Sequence, residues 1–165
     1  MPSISQQKKQ AVKMEDASSR QFVTFSIKDE LYGIDVKRAQ EVMNIPRITK
    51  VPDTMAFMKG MIDLRGTIIP LIDMRIKFKI EEKAYDQNTV IIIIDIKNVI
   101  CGIIVDSVSD VVTMSIDDVQ HTPHFASEID KDTVFGIGKI DEKLVIVLDV
   151  DKILTDEELL LIKAK

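Results

Sequence analysis

An internal repeat is the feature that most constrains the fold of this chain. The segment that starts at Phe22 resembles the segment that starts at Ile91, and a constant shift of 69 residues relates the two. The aligned positions are Ile27 with Ile96, Lys28 with Lys97, Gly33 with Gly102, Val36 with Val105, Glu41 with Asp110 and Val42 with Val111. Self-similarity over this length indicates two copies of one structural unit.

A second pair of similar segments lies further along each copy. The stretch "GMIDLRGTIIPLID", which begins at Gly60, resembles "GKIDEKLVIVLD", which begins at Gly138, with the second hairpin shorter by two residues. Each copy therefore contains a hairpin, a short turn, a third strand, a linker and a second hairpin, which makes about five short strands.

The composition favours a β fold for both copies. Ile and Val fill the apolar runs, aromatic residues make up 5% of the chain and Trp is absent, and β-branched side chains suit strands better than helices. We predict an all-β (mainly β) domain over residues 20–155. It should consist of two small five-stranded barrels or sandwiches, about residues 20–86 and 87–151, with strands exchanged at the ends. A unit of about 65 residues is only marginally stable alone, so we expect a shared core and a groove between the two.

The two ends of the chain differ from the repeated region. Residues 1–19 are polar and lack hydrophobic periodicity, which predicts a flexible or loosely docked arm. Near the other end, Thr155 and Glu158 form a capping-box pattern in front of an apolar run. We therefore predict a C-terminal helix within residues 152–165, in addition to short turns of helix elsewhere.

Charge and hydropathy argue against several kinds of partner. The chain has 22 basic and 27 acidic residues and a net charge of −5, which opposes binding to a phosphate backbone. The apolar run from Val90 to Ile94 is too short to cross a bilayer, and the N-terminus lacks the apolar block of a signal peptide. We predict a cytoplasmic protein that binds no nucleic acid and does not insert into a membrane.

The sequence predicts neither an enzyme nor a cofactor. The "FGIGKI" stretch lacks the first glycine and the Ser or Thr of a phosphate-binding loop. Cys101 is the single cysteine and lies in an apolar run, which favours a buried structural thiol. His121 and His124 are the two histidines, and their spacing is more typical of polar loop residues than of a metal site. Protein binding is the favoured class of function.

Arg65, Gly66 and Pro70 have no counterpart in the second copy. Arg65 and Gly66 form a turn between two apolar runs, and Pro70 interrupts the second run. Since the second copy should fold without them, Arg65 is better explained by recognition than by structure, although an ion pair with Asp63 or Asp73 is the structural alternative. Pro70 cannot donate a ladder hydrogen bond and predicts an edge strand or a bulge.

Three stretches of the chain resemble the CheW family of chemotaxis coupling proteins. They are "FVTFSIKDELYGIDVKRAQEVMNI", "PDTMAFMKGMIDLRGTIIPLIDMRIKF" and "GIIVDSVSDVV", and the resemblance covers about residues 20–155 in the right order. The most specific part is the signature "GxxxLRGxxxPxxDxR", which is read at Gly60, Leu64, Arg65, Gly66, Pro70, Asp73 and Arg75.

The resemblance implies both a fold and a function. Members of the family have two five-stranded, SH3-like barrels around a shared core, in agreement with the repeat. They are adaptors without enzymatic activity or cofactor that join the cytoplasmic hairpin tip of transmembrane chemoreceptors (methyl-accepting chemotaxis proteins) to the regulatory domain of the histidine kinase CheA. The resemblance therefore implies a cytoplasmic signal-transduction adaptor recruited to receptor arrays at the inner face of the membrane.

A set of binding residues is also implied by the resemblance. Arg65 corresponds to the arginine of the family "LRG" turn, and Glu41 corresponds to the glutamate of its "QE" pair. The implied receptor-binding residues, beside the groove between the barrels, are Arg65, Glu41, Val90, Ile91, Val108 and Val111. The implied kinase-binding residues, near the ends of the barrels, are Ala39, Glu41 and Gly60.

Two positions depart from the family pattern. Asp63 stands where Asn usually precedes Leu-Arg-Gly, and it adds a negative charge beside Arg65. Ala39 stands where a larger aliphatic residue is common. At 165 residues the chain is too short for an added receiver domain or for kinase domains, so we expect a stand-alone coupler.

Two other functions are compatible with the sequence. One is a β-barrel scaffold that binds only the kinase or self-similar domains and does not touch receptors. The other is a metal- or ligand-binding barrel that uses His121 and His124.

Overall fold

The computed structural model describes residues 18–52, 54–121 and 132–163. The strands in these residues are β1 (Ser19–Ile27), β2 (Glu30–Asp35), β3 (Ala39–Asn44), β4 (Met58–Leu64), β5 (Thr67–Asp73), β6 (Val90–Ile96), β7 (Val99–Val105), β8 (Ser107–Ser115), β9 (Val134–Ile140) and β10 (Lys143–Leu148). The helices are α1 (Met74–Lys77) and α2 (Asp156–Lys163), and short 3-10 turns cover Val36–Arg38, Ile116–Asp118 and Val150–Lys152. The predicted mainly β fold is confirmed. Residues 1–17 of the predicted arm lie outside the described residues.

The strands form two five-stranded sheets, as predicted. Sheet I has the order β8-β1-β2-β10-β9, and sheet II has the order β3-β6-β7-β5-β4. The barrels are not closed, because no continuous ladder joins the two edge strands of either sheet within the described residues. Instead an isolated bridge reaches one edge strand of each sheet, Gln120 with Ile137 in sheet I and Thr49 with Met61 in sheet II.

The two sheets do not correspond to residues 20–86 and 87–151. Each half of the chain gives its first hairpin to one sheet and its last three strands to the other, so that sheet II is the continuous stretch from β3 to β7 and sheet I surrounds it in sequence. Four strand pairs join the two halves. Two of them are parallel, β2 with β10 and β5 with β7, and two are antiparallel, β1 with β8 and β3 with β6. The exchange between the two halves therefore involves whole hairpins and not only the ends of strands.

The structure also changes the alignment of the second pair of similar segments. Gly60 pairs with Leu71 across the β4–β5 hairpin, and Gly136 pairs with Val147 across the β9–β10 hairpin. A Cβ atom at Gly60 would lie 2.3 Å from the Thr49 carbonyl oxygen, and one at Gly136 would lie 2.6 Å from that of Gln120. Gly136, not Gly138, is thus the counterpart of Gly60, and the two hairpins have equal length.

The largest cluster of buried residues joins the two sheets. It includes Phe25 and Ile34 of sheet I together with Ile92 and Ile94 of sheet II. Each sheet also curls around a smaller cluster of its own, around Ile69 and neighbours in sheet II and around Phe22 and neighbours in sheet I. The inner and outer faces of β6 are both apolar for this reason, which explains its uninterrupted run of β-branched residues.

The C-terminal helix begins later than the first predicted residue. α2 spans Asp156–Lys163 and follows a 3-10 turn at Val150–Lys152. The predicted capping box is confirmed, since the Glu158 amide donates to Thr155 Oγ1 at 3.1 Å and the Thr155 amide donates to Glu158 Oε1 at 2.8 Å. Within residues 18–52, 54–121 and 132–163, none of the helices has the length and apolar character needed to cross a membrane.

Candidate protein-interaction site

The end of the signature has a structural role. Asp73 caps α1, because its Oδ1 accepts hydrogen bonds from the amides of Arg75 at 2.9 Å and Ile76 at 3.3 Å. The Arg75 guanidinium donates twice to Asp106, through Nε at 2.8 Å and Nη2 at 2.6 Å. Asp106 follows β7 at the crossing from sheet II to sheet I, so this ion pair fixes the crossing.

Asp106 is ionised in this environment. Burial alone would raise the pKa of its carboxyl, but the hydrogen bonds from Arg75 and from the Lys28 amide, together with the Arg75 charge, outweigh it and lower the pKa below its usual value. The side chains of Arg75 and Asp106 are 14% and 15% exposed. A bidentate and largely buried pair of this kind holds the fold together and is poorly accessible to a partner.

Gly60 and Pro70 are also structural. Gly60 has φ 149° and allows β4 to pass close to the backbone at Thr49. Pro70 is buried and faces Met61 on β4, while the ladder between β5 and β7 starts one residue later, at Leu71. β5 therefore lies inside the sheet and is not the predicted edge strand, but the missing N–H of Pro70 falls where no β7 partner requires it.

Arg65 is the exposed residue of the signature whose side chain can recognise a partner. Arg65 and Gly66 form the two-residue turn between β4 and β5, with φ values of 50° and 87°. Positive φ at both positions is the type I′ geometry that matches the twist of a tight hairpin. The turn presents the Arg65 side chain, 72% exposed, at one end of sheet II.

Glu41 on β3 is the partner of Arg65 within the fold. Arg65 Nη2 donates to Glu41 Oε1, and the Glu41 side chain is 34% exposed. β3 and β4 are the two edge strands of sheet II, so the ion pair spans the opening of that sheet. The structure thus brings together two predicted receptor-binding residues and replaces the predicted structural alternative, a pair of Arg65 with Asp63 or Asp73.

Asp63 has a local role in the turn. Its Oδ1 accepts a hydrogen bond from the Gly66 amide at 2.8 Å, and this bond stabilises the turn. The Asp63 side chain therefore supports the conformation that presents Arg65 through an acceptor oxygen, and this role does not depend on its charge.

The four predicted receptor-binding valine and isoleucine residues differ in accessibility. Ile91 is fully buried inside sheet II, and Val90 is 8% exposed in the shared core, so their side chains are not available to a partner. Val108 and Val111 on β8 are half-buried and pack at the border of the shared core. Val42 on β3 packs against the same core from sheet II, and the alignment of Val42 with Val111 is the signal that identifies it as an additional surface residue.

Two of the three predicted kinase-binding residues are buried. Ala39 is 0% exposed, at the start of β3 where its small side chain fits into the shared core. Gly60 is buried in its close contact with the backbone at residue 49. Ala39 and Gly60 thus expose little surface to a partner in this structure, whereas the Glu41 side chain is 34% exposed.

Cys101 is buried in the core, and His121 packs against Phe135. Burial raises the pKa of the Cys101 thiol to about 12, so it is a protonated core residue at neutral pH. His121 Nδ1 is 2.6 Å from the Phe135 carbonyl oxygen, and its ring packs edge-on against the Phe135 ring at 4.8 Å. His124 lies outside the described residues, and within those residues no three His, Cys, Asp or Glu side chains form a group that could hold a metal ion.

The chain is similar to one family of known proteins in both sequence and structure. The family model described as "CheW-like domain" matches residues 21–158. The chain is 36% identical over 143 residues to the chemotaxis protein CheW of Klebsiella aerogenes, covering 87% of this chain and 86% of that protein, and 30% identical to the CheW of Helicobacter pylori, covering 81% of each. The crystal structure of the scaffolding protein TtCheW from Thermoanaerobacter tengcongensis superposes with a TM-score of 0.78 at 34% identity and covers 84% of this chain and 94% of that one.

Proposed function

The chain belongs to the CheW-like domain family and is a chemotaxis coupling adaptor, and on this premise we propose the two partners that it couples. One is the cytoplasmic hairpin tip of transmembrane chemoreceptors, and the other is the regulatory domain of the histidine kinase CheA. The protein then works in the cytoplasm, at the inner face of the membrane, through its place in receptor arrays. It contributes binding free energy and no chemistry.

The exposed Arg65 at the tip of the β4–β5 hairpin is the observation that carries the receptor contact. The other polar residues of the signature, Asp73 and Arg75, are engaged in capping α1 and in pairing with Asp106. Arg65 instead presents a planar group with five N–H donors, which suits the carbonyl, amide and carboxylate oxygens on a helical hairpin. An arginine of this kind at the centre of a contact typically accounts for a large share of the affinity.

Apolar contacts at the border between the two sheets complete the proposed receptor surface. Val108 and Val111 on β8 and Val42 on β3 are half-buried at the border between the two sheets. A helix that packed over this border would remove their remaining apolar surface from water, which stabilises association. Val90 and Ile91 act indirectly, because their packing fixes the strands that carry the exposed residues.

The kinase contact is proposed for the same end of sheet II, around Glu41. Ala39 and Gly60 shape this region from within, since Ala39 allows β3 to pack closely and Gly60 allows β4 to approach the loop at Thr49. Substitutions at either position would therefore alter kinase binding through the shape of the surface.

The proposed coupling is an equilibrium effect. If receptor and adaptor together bind the active and inactive forms of the kinase with different affinities, a change in the receptor shifts the population of the two forms. The adaptor only has to hold both partners in a fixed relative geometry, and the large core shared by the two sheets provides the necessary rigidity.

Co-sedimentation with receptor-containing membranes tests the receptor contact. We expect the wild-type protein to sediment with the membranes, and Arg65→Ala to reduce the affinity about tenfold or more. Lys163→Ala, which removes an exposed positive charge from the end of α2, is the matched control and should bind like wild type. A wild-type protein that bound the kinase but not the receptor membranes would favour the scaffold that touches no receptor.

A further inference from the structure

We propose that Thr24 is a positioning residue for receptor binding, because its buried hydroxyl fixes the β-bulge that puts Val108 and Val111 on one surface. The inference rests on the proposed function, which assigns these two valines to the receptor contact. It is based on two hydrogen bonds between Thr24 Oγ1 on β1 and the backbone of Asp110 on β8, an edge strand of sheet I.

Val108 and Val111 would point in opposite directions in a regular strand. Successive side chains alternate between the two faces of a strand, so residues three apart lie on different faces. In β8, however, both valines pack against the core shared by the two sheets. Val111 pairs with Val23 and Val108 pairs with Phe25. Three steps on β8 therefore match two steps on β1, and the extra residue forms a β-bulge that brings both valines to the border between the sheets.

The Thr24 hydroxyl supplies hydrogen bonds to the backbone of the bulge. Thr24 lies between Val23 and Phe25, where the register shifts, and it is 1% exposed. Its Oγ1 donates to the Asp110 carbonyl oxygen at 2.7 Å and accepts from the Asp110 N–H at 3.0 Å. One buried side chain thus satisfies both backbone groups of Asp110. Because such groups are costly to leave without a partner, loss of the hydroxyl favours another conformation of β8.

The first copy forms its bulge in another way. The register of β3 against β6 is also irregular, but there Glu41 pairs directly with Ile93. The shift of 69 residues between the copies makes Asp110 the counterpart of Glu41, and Thr24 the counterpart of Ile93. The second copy thus replaces a direct strand pair by a side-chain bridge. Without the hydroxyl, β8 can take the pairing of β3, so we expect such a variant to fold while the two valines change position.

Isosteric replacement of Thr24 tests the positioning role. The affinity for receptor-containing membranes is measured for wild type, Thr24→Val and Thr24→Ser. Thr24→Val removes the hydroxyl at nearly constant shape. We expect it to weaken binding about fivefold, because only a fraction of the molecules then holds both valines in place. Thr24→Ser keeps the hydroxyl and should bind like wild type. A Thr24→Val affinity equal to that of wild type would overturn the inference.

Ser26→Ala is the matched control on β1. It removes another hydroxyl between the same two strands, since Ser26 Oγ lies 2.6 Å from Ser107 Oγ, but at a regular pair of the register. This control should bind receptor membranes like wild type, and thermal unfolding checks that each variant is folded at the temperature of the assay. The same loss of affinity in Ser26→Ala as in Thr24→Val would overturn the inference, because any weakened contact between the strands would then have this effect.

A double-mutant cycle shows whether Thr24 acts through the valines. In a Val111→Ala background, Thr24→Val should cause a smaller loss of affinity than it causes alone. An equal loss with and without Val111 would mean that Thr24 acts elsewhere and would also overturn the inference.

Methyl NMR spectra of the free protein separate this inference from the proposed function. Nuclear Overhauser contacts from the Val108 and Val111 methyl groups to β1 should be the same in wild type, Thr24→Ser and Ser26→Ala, and different in Thr24→Val. Identical contacts in all four proteins would refute the positioning role whether or not the receptor binds. Contacts that change only in Thr24→Val, together with a wild-type protein that fails to bind receptor membranes, would support the control of the bulge by Thr24 and count against the proposed function alone.

Discussion

Gly60 and Gly66 lie six residues apart in the signature and are required for different reasons. Gly60 is a point of close approach, where a Cβ atom would lie 2.3 Å from the Thr49 carbonyl oxygen and 2.7 Å from Ile48 Cγ2. Gly66 has a positive φ of 87° with nothing within 4 Å of the place that a Cβ atom would take. A side chain at Gly60 would displace neighbouring atoms, whereas one at Gly66 would clash with nothing and would only disfavour the positive φ.

We therefore predict that Gly60→Ala lowers the free energy of unfolding by about 2–4 kcal/mol, and that Gly66→Ala lowers it by about 1 kcal/mol. Chemical denaturation of the two variants and wild type measures the difference. Equal losses would contradict the structural role of Gly60. A loss of kinase binding in Gly60→Ala without any loss of stability would instead favour a direct kinase contact at this glycine.

At the scale of elements, ion pairs hold both crossings between the sheets. Arg75 pairs with Asp106 at the crossing from β7 to β8, and Arg38 pairs with Asp151 near the crossing from β2 to β3. Arg75 follows β5, the last strand of the first copy, and Asp151 follows β10, the last strand of the second copy. Corresponding positions of the two copies thus carry opposite charges, and these side chains do not reveal the repeat in the sequence.

The pair at the first of these crossings predicts a pH dependence of stability. Because the pKa of Asp106 is lower in the folded chain than its usual value, its ionised form stabilises the fold above about pH 4, and this contribution is lost as the pH falls through the lower, folded-state pKa. Asp106→Asn should reduce the free energy of unfolding by about 2 kcal/mol at neutral pH, and the difference from wild type should shrink below about pH 4. Denaturation curves at several pH values measure this.

Asp110→Asn is the control for that experiment. Asp110 is exposed on β8, four residues after Asp106. Its backbone carbonyl and N–H form hydrogen bonds with Thr24 Oγ1, so that replacing its side chain leaves them in place. This variant should leave both the stability and its pH dependence close to wild type. If Asp106→Asn differed from wild type by the same amount at all pH values, titration of Asp106 would not be the cause.

At the scale of the whole molecule, the exchange of hairpins makes the two halves of the chain interdependent. Sheet I needs β1 and β2 from the first half and β8, β9 and β10 from the second, and sheet II needs the remainder of both. Neither residues 1–86 nor residues 87–165 contain a complete sheet. A break in the chain near residue 86 therefore leaves each fragment with unpaired strand edges and an exposed part of the shared core.

We predict that fragments 1–86 and 87–165 are each unfolded alone and fold together when mixed. The reason is that the parallel pairs β2–β10 and β5–β7 join strands from different fragments. Proton–nitrogen NMR spectra of each fragment and of the equimolar mixture measure this, and dispersed signals are expected in the mixture alone. A fragment with a dispersed spectrum by itself would show that the halves fold independently, as the division at residue 86 suggested.

The sequence predicts features that a few neighbouring residues determine. The hairpins, the Thr155–Glu158 capping box and the exposed Arg65 turn are of this kind. The exchange of hairpins is less predictable, because β3 could pair with β1 or with β6, and both strands are rich in apolar residues. The 3-10 turn at Val36–Arg38 sends the chain to the other sheet, and its direction has no local signal. The burial of Ala39 and Ile91 follows from that choice of partner strand.

If this adaptor joins CheA to chemoreceptors through the Arg65 end of sheet II, as we propose, recruitment of the kinase to receptor membranes depends on Arg65. CheA is sedimented with receptor-containing membranes in the presence of wild-type adaptor, Arg65→Ala, Lys163→Ala or no adaptor. We expect kinase in the pellet with wild type and Lys163→Ala, and a fraction near the no-adaptor level with Arg65→Ala. Kinase recruitment by Arg65→Ala equal to that by wild type, or recruitment that does not depend on the adaptor at all, would contradict it.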